Sequence, residues 1–439
     1  MMASMVLSLL CTAGVLLSPL VHADEQTSSA ADEGLLPIPD YSGDLGTRSY
    51  LSGDWRGLRQ DWANRGITME FDWYSAYQDI VDGGFREGSA FSTNLDYRMK
   101  LDLMRMGVVP GAIVTIRAQS RFGDTVNGAS GNLLPVNMYS AFPLGDGDID
   151  FTITEFNWTQ FLSANFGLLA GKITTTATAN EFMGGEGRSQ FMNFQLSFSA
   201  VVAQLAPYST LAVGAIWLPS PNWTVTSLLM NLEDASTSSG FDDIGDGTVW
   251  ATTADYLGSL NGLPGGGSFG VYYGFDANFA RIGGLNLDPG TGVSIDKQSD
   301  SWAVTWNGWQ YLLVENESTA VDPRNGRQDL QGLGLFAQIG IADEDTNPIS
   351  WSVTAGLSGR GSIPGRDADT WGVGYFYNEL QDLNLGSRVL VDSVNGLEIY
   401  YDIALLGSAS LTLDAQWTQN AFQRADDATI LGARLNVSF

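Results

Sequence analysis

The sequence predicts an all-β protein: a transmembrane antiparallel β-barrel with short turns on one rim, long loops on the other, and one short N-terminal helix. Three observations point there. From Ile67 onward, stretch after stretch alternates apolar and polar residues with the period of two that separates the faces of a strand. The spacers between these stretches are of two kinds, some tight and some long and rich in Gly, Asp, Asn and Ser. After the first residues, no run reaches the roughly 18 apolar residues of a membrane helix. The composition agrees, since 52 Gly, 13 Trp, 15 Tyr and 21 Phe beside only 16% charged residues favour strands and turns.

Residues 1–23, "MMASMVLSLLCTAGVLLSPLVHA", are apolar, carry no acid and end in Val21-His22-Ala23, so they read as a secretory signal peptide. No Lys or Arg precedes the apolar run, a departure that puts the true start upstream. Cleavage after Ala23 would remove Cys11 and His22, the only cysteine and the only histidine. Disulfides, thiolate or imidazole metal sites, cysteine nucleophiles and every Ser-His-Asp scheme are then excluded. No cofactor and no metal are expected. Asp146, Asp148 and Asp150 have a calcium-like spacing, but the glycine and the bidentate Glu of a calcium loop are missing. A net charge of −28 excludes nucleic acid as a partner, because phosphates would be repelled.

Residues 24–50, rich in Ser, Ala, Asp, Gly and Pro, read as a flexible leader. Residues 51–66 read as a short amphipathic helix. Ser52 or Asp54 can cap it, Trp55, Leu58 and Trp62 share a face, and Gly66 stops it. The barrel is expected over 67–439. In its first strand Ile67, Met69, Phe71, Trp73 and Tyr77 oppose Thr68, Glu70, Asp72 and Gln78. Leu95, Tyr97, Met99 and Leu101 then oppose Asp96, Arg98, Lys100 and Asp102. After the turn "GVVPG", Val114, Ile116 and Ala118 oppose Thr115, Arg117, Gln119 and Arg121. Trp351, Val353, Ala355 and Leu357 oppose Ser352, Thr354 and Ser358. Further strands are read at 149–162, 165–173, 208–219, 222–231, 268–277, 301–314, 329–342, 369–380, 395–405, 409–418 and 428–439. The first of these changes phase near Glu155, which suggests a bulge. That makes about fifteen, and closure of such a barrel calls for an even number; the missing strand is expected near 278–288. "GVVPG", "LPSP" and "DEDTNP" are read as the short, periplasmic turns. Spacers 122–147, 178–207, 232–266 and 314–328 are read as the long external loops. The chain ends on Phe439 in a strand where Leu431, Ala433, Leu435 and Val437 alternate with Gly432, Arg434, Asn436 and Ser438. A closing strand with an interfacial aromatic explains this, and such aromatics form the girdles of membrane barrels. Trp73 and Trp351 are read as girdle anchors too. A soluble sandwich gives no reason for sorted loops or for Arg98 and Lys100 in mid-strand.

"SGDWRGLRQDWANRGITMEFDW", "FGLLAGKITTTATANEFM" with "RSQFMN", and "GLGLFAQIGIADEDTNPISWSVTAGLSGRGSIPGRDADTWGVGYFY" resemble segments of the carbohydrate-selective (OprB-type) outer-membrane porins. In the last, Gly361, Gly365-Arg366-Asp367 and Asp369 precede Trp371-Gly372-Val373-Gly374 in the order expected of that family. The resemblance runs from about Leu51 to Phe439. It implies a bacterial outer-membrane barrel, of sixteen strands, giving passive diffusion of sugars. Arg56 stands where the family's entry segment usually has glycine, and "LDAQWTQNAFQRADDATI" replaces its usual turn before the last strand; both bear on substrate range rather than fold.

Arg98, Lys100, Arg117 and Arg121 fall on the inferred lumen face of two strands. A hairpin centred near Val108–Val109 would set Lys100 opposite Arg117. Their guanidinium and ammonium donors can bond sugar hydroxyls, with Glu70 and Asp72 shaping the opposite charge. Equally, they can pair with Asp96, Asp102, Glu70 and Asp72 and only stiffen the wall. By resemblance Lys172 is a lumen residue near the constriction; read alone, it is a rim charge. Segment 182–194 either stays an external loop or folds inward, making Arg188 and Gln190 sugar contacts and Phe191 a stacking face. The partners implied are small saccharides, outer-membrane lipid and the barrel-assembly machinery, with monomer and homo-oligomer both open. Two alternatives to a porin are a barrel enzyme using a carboxylate pair as a glycosidase, and a structural or adhesive barrel plugged by the Trp55–Trp62 helix.

Overall fold

The computed structural model describes residues 34–288, 292–315, 330–381, 391–423 and 425–439. The expected signal peptide 1–23, leader residues 24–33 and most of spacer 314–328 lie outside them. The strands are β1 (Ile67–Gly84), β2 (Gly88–Asp102), β3 (Ala112–Gly123), β4 (Ile149–Ser163), β5 (Phe166–Thr174), β6 (Ser209–Ser220), β7 (Trp223–Asn231), β8 (Thr248–Leu260) and β9 (Leu263–Phe275). They continue as β10 (Phe279–Asp288), β11 (Gly292–Gln298), β12 (Ser301–Val314), β13 (Gly332–Ala342), β14 (Ile349–Arg360), β15 (Thr370–Leu380), β16 (Ser393–Leu406), β17 (Ala409–Thr418) and β18 (Asp426–Ser438). All but β10 and β11 form one closed antiparallel barrel of sixteen strands. It closes where β1 pairs with β18, Asp72 lying opposite Ser438.

The faces follow the alternation in the sequence. Trp73, Tyr77, Phe156, Trp158, Trp351 and Leu357 are exposed on the outside, whereas Asp72, Asp96, Arg117, Gln119, Ser352 and Thr354 are buried within. The bulge expected near Glu155 is present. Pairing steps from Arg117–Glu155 to Ala118–Ile153, skipping Thr154 and leaving both Thr154 and Glu155 buried.

The sixteenth strand is not where it was expected. The segment near 278–288 pairs with β11 in a separate two-stranded sheet. The missing strand is β8, inside the stretch 232–266 read as a loop. Its buried row holds the apolar Val249 and Ala251, and its outer row includes Thr252, Ala254 and Gly258 beside Trp250, so the contrast between faces nearly vanishes. β9 also starts earlier than 268, because Gly265 pairs with both Gly258 and Gln310. The hairpin between β2 and β3 is centred one residue earlier than expected. Gly107 takes the left-handed conformation (φ 71°) and Val108 and Val109 both donate to the Leu103 carbonyl. Arg98 therefore lies opposite Arg117, and Lys100 opposite Thr115.

Loop sorting holds for "GVVPG", "LPSP" and the spacers after β3 and β5. It fails at "DEDTNP", which joins β13 to β14 on the rim away from the termini. It fails again at 314–328, which leaves β12 on the rim that carries the termini.

The described part of the leader is docked, not free. Leu35 and Leu36 are buried, and their amides donate to the Asp102 carboxylate at 2.5 and 2.9 Å. Further along, Gly407 N–H donates to the Gly46 carbonyl and Leu51 N–H to that of Ser438. The helix is shorter than 51–66: a 3₁₀ turn at Trp55–Gly57, then α1 (Leu58–Asn64). Its buried residues are Arg59 and Ala63, while Trp55 and Leu58 are exposed. Arg59 takes the inner face because its guanidinium sits 4.1 and 4.5 Å from the rings of Tyr41 and Tyr50 and donates to the carbonyls of Met69 and Phe439. One side chain thus ties the leader to the first and last strands. Arg56 adopts φ 64°, the conformation glycine favours.

Candidate functional site

Two connections on the rim away from the termini fold into the barrel. The larger, 175–208 between β5 and β6, buries Phe182, Met183, Phe191, Met192 and Leu196. Such a segment must satisfy its backbone groups inside the protein. Glu398 on β16 accepts the amides of Met192 and Asn193 at 2.5 and 3.0 Å. Arg434 on β18, fully buried, donates to the carbonyls of Gly187 and Gln190 at 2.9 and 2.7 Å, and Thr354 donates to that of Gln195 at 3.0 Å. Apolar anchors add to these. Phe182 packs edge-on against Trp309 and Tyr311, and Phe191 against Phe336 and Tyr400. Glycines in the wall make room for them. A Cβ at Gly334 would come within 2.2 Å of Phe182, and one at Gly374 within 2.6 Å of Leu196. Gly372 and Gly374 of the Trp-Gly-Val-Gly motif thus form a socket for the segment.

The smaller connection, 124–148 between β3 and β4, carries α2 (Asn127–Ser130) and α3 (Met138–Ala141). Asn94 on β2 donates to the carbonyls of Tyr139 and Phe142, and Ser92 bonds Ser140. Arg121 on β3 donates to the carbonyls of Ala141, Pro143, Gly145 and Gly147. Burial pushes the Tyr139 hydroxyl well above its usual pKa, so it stays protonated and donates to Asp96 at 2.9 Å.

A charged cluster lies between these segments and β1–β4. Arg117 Nε and Nη2 both donate to Asp96, at 2.9 and 2.6 Å, and Arg117 also lies 3.6 Å from Glu155 and 3.8 Å from Glu186. Arg98 reaches Asp96 at 3.3 Å and Glu186 at 3.8 Å. Arg188 pairs with Asp72, which also accepts from Ser438. The Asp72 carboxylate beside it raises the Arg188 pKa further. Exposure divides the cluster. The Arg117 side chain is 2% exposed, whereas those of Arg98 and Arg188 are 23% and 29% exposed. Glu186 is partly open, Glu70 lies opposite Arg98 in the β1–β2 register, and half-buried Lys100 makes no ion pair among the described residues. The open edge thus presents cationic donors next to carboxylate acceptors.

The predicted residues separate accordingly. Arg98, Lys100, Glu70, Asp72 and Arg188 come together, through the infolding that the sequence left open. Arg117 is an internal strut with no surface for a solute, and Arg121 is a backbone clamp. Lys172 is not in the lumen row: it pairs in register with exposed Phe156 and with Leu211, and its ammonium is held by the carbonyls of Ile153 and Ser238. Phe191 is a buried anchor rather than a stacking face. Sequence reasoning missed Glu186, Tyr139, Glu155 and Arg434 as members of the site. Arg434 had a signal in its inward phase in the last strand, and Glu155 in the phase change of its strand.

A family model described as carbohydrate-selective porin, OprB family, matches residues 86–439. The entry segment 51–85 lies outside that range. In structure the chain is similar to a high-pH form of Pseudomonas putida OprB, at 18% identity over 90% of this chain and 100% of that one, with a TM-score of 0.76. It is also similar to a low-pH form of the same protein, at 15% identity over 90% and 99% of the two chains, TM-score 0.55. A third similar structure is the outer membrane channel DcaP of Acinetobacter baumannii, at 11% identity over 85% and 97%, TM-score 0.51. At these identities the likeness speaks for the fold. No curated protein sequence matches the chain significantly.

Proposed function

The chain belongs to the OprB family of carbohydrate-selective porins, and from that premise we propose that it lets small sugars diffuse passively across the bacterial outer membrane past the Arg98–Arg188 edge. The observation that carries this is the exposure pattern of the charged cluster. A sugar presents hydroxyls that both donate and accept. Arg98, Arg188 and Lys100 offer donors, and Glu186 and Glu70 acceptors, on one open edge. A hydrogen bond to a charged group contributes about 1.5–3 kcal/mol, enough to select a sugar yet release it. The rim with the chain termini then faces the periplasm.

A glycosidase reading is less well supported. Glu398 and Asp414 adjoin on β16 and β17, but they are 0% and 5% exposed and Glu398 is engaged by the infolded segment, so neither is open to a glycosidic bond. The test is reconstitution of the purified protein in a planar bilayer, with titration of glucose, a disaccharide, an amino acid and phosphate. Concentration-dependent block of the ion current by sugars at lower concentrations than by the amino acid or phosphate is expected. Indifference to sugars, or stronger block by phosphate, would overturn the reading.

A further inference from the structure

The infolded segment 175–208 also shapes a second space. Its two legs, near Thr174–Ala179 and Phe198–Ala206, stand off the wall of β7, β8, β9, β12 and β13 and leave a recess behind them. The lining differs in kind from the charged cluster. No Arg or Lys lines it among the described residues, and its one acid, Asp255, already accepts a hydrogen bond from Ser268. Thr226, Asn307 and Gln338, on three different strands, are 5%, 7% and 6% exposed. Each carries a buried oxygen with no hydrogen-bond partner: Thr226 Oγ1, Asn307 Oδ1 and Gln338 Oε1. Ser199 Oγ, on the second leg, is buried and unpartnered as well. Buried polar groups are normally paired, so four unmet oxygens on one recess mark a place built to bond something. Thr253, opposite Thr226 in the β7–β8 pair, adds a half-buried hydroxyl. Phe198, Val202, Leu228 and Met230 supply an apolar part of the lining.

We propose that this recess is a binding site for an uncharged polyol ring of monosaccharide size, separate from the Arg98–Arg188 edge. The proposal rests on the sugar-porin reading and adds to it a second site of different chemistry. Pockets for small ligands combine apolar surface with a few fixed polar groups. A sugar ring matches that mixture: its hydroxyl protons meet the unpaired oxygens, and its C–H surface meets the apolar lining. An anion would meet the carbonyl oxygens of Asn307 and Gln338 and the Asp255 carboxylate, with no Arg or Lys among the described lining residues to neutralise it. A metal cation or an ammonium would find one carboxylate that is already engaged.

The test is protection of an introduced thiol. Cys11 falls in the expected signal peptide, so Thr253→Cys would give a single thiol in the mature chain, inside the recess. Its rate of modification by N-ethylmaleimide is measured in detergent-solubilised barrel with glucose, with gluconate and with neither, after gel mobility has shown the variant folded. Glucose should slow labelling severalfold, gluconate should not, and adding Asn307→Leu should abolish the protection. Ser268→Cys on β9 is the substitute if Thr253→Cys does not fold. Glucose block of the ion current in planar bilayers, measured in parallel on the parent protein, reports on the pore edge. Block of the parent with no protection at Thr253→Cys overturns the recess and leaves the porin reading standing. Neither block nor protection overturns both. Equal protection by gluconate, or a thiol that the reagent never reaches, also overturns the recess as a site for uncharged polyols.

Discussion

Two walls of one barrel are written with the same alternation and end in opposite chemistry. Along β1–β4 the inward row carries Asp72, Asp96, Arg98, Arg117 and Glu155, and nearly all of that charge is consumed internally. Along β7–β9, β12 and β13 the inward row carries Thr226, Thr253, Asn307 and Gln338, with Asp255 the one acid among the described residues of the recess, and several of the uncharged groups keep bonds to give. The difference teaches what a charge inside a barrel is for. A buried charge must be paired, because taking it out of water costs several kcal/mol. The first wall therefore becomes a rigid frame that grips both infolded segments, and its more exposed margin is Arg98, with Arg188 of segment 175–208 beside it. The neutral wall bears no such demand and can hold unmet groups at smaller cost.

Breaking the frame should have the largest effect. Arg117→Ala leaves Glu155 buried without its cation and Asp96 with only the longer contact to Arg98, a change expected to cost about 3–5 kcal/mol. Arg117→Lys should recover part of this, since an ammonium cannot reproduce the two-pronged contact with Asp96. The check is the urea midpoint of the heat-modifiable gel band in detergent. A midpoint equal to that of the parent protein would mean that the cluster is not structural and that the contrast between the walls is misread.

The next effect tests what separates the two walls. Gly374→Val puts methyl groups where Leu196 and Phe191 sit. It should unseat segment 175–208 while the strands stay paired. Single-channel conductance is then expected to rise severalfold, with sugar selectivity lost. Unchanged conductance in a folded variant would show that the segment does not narrow the lumen.

The strands of the charged wall were legible because each keeps a strict contrast between an apolar and a charged face. β8, on the neutral wall, was hidden for the reverse reason: with Val249 and Ala251 inward and Thr252 and Gly258 outward, two-face periodicity carries little signal. Arg98 and Lys100 could be placed in the lumen from their phase alone. That Arg117 is a strut could not, since its burial depends on Asp96, Glu155 and Thr174 converging on it from three other strands, two of them later in the chain. Lys172 was misplaced because a family likeness does not fix strand phase, and Gly171 beside it is the residue that lies inward, opposite Asn157. The helix face was inverted because hydrophobic spacing cannot foresee an Arg packed over two touching tyrosines.

At the open margin the effect should fall on transport rather than folding. Arg98→Ala removes a partly exposed donor and should leave the urea midpoint nearer the parent's than Arg117→Ala does. The lost bond to a sugar hydroxyl, about 1.5–3 kcal/mol, corresponds to roughly tenfold to a hundredfold weaker block. The reversal potential should shift toward cation selectivity as a positive charge leaves. Normal block with a normal reversal potential would remove Arg98 from the solute's path.

The smallest effect comes from the same pairing placed in water. Arg366 and Asp369, in the connection after β14, bond at 2.7 and 2.8 Å, and Asp369 also accepts from Tyr401 and from the Ala404 amide. Burial alone would push the Asp369 carboxyl up, but the bonds from Arg366, Tyr401 and Ala404 outweigh it and hold the pKa below the usual value. A carboxyl lowered on folding stabilises the protein in full above its unfolded pKa of about 3.9. That contribution is lost as pH falls through the folded value. Asp369→Asn should therefore lower the urea midpoint slightly at pH 7, and the gap should close below pH ~3.9. Arg366 is 41% exposed, so molar salt should shrink the same gap, whereas the 2%-exposed Arg117 should keep its effect in salt. Equal salt sensitivity at the two sites would mean that water reaches Arg117, and the charged wall would then belong to the pore along its whole face rather than at its margin.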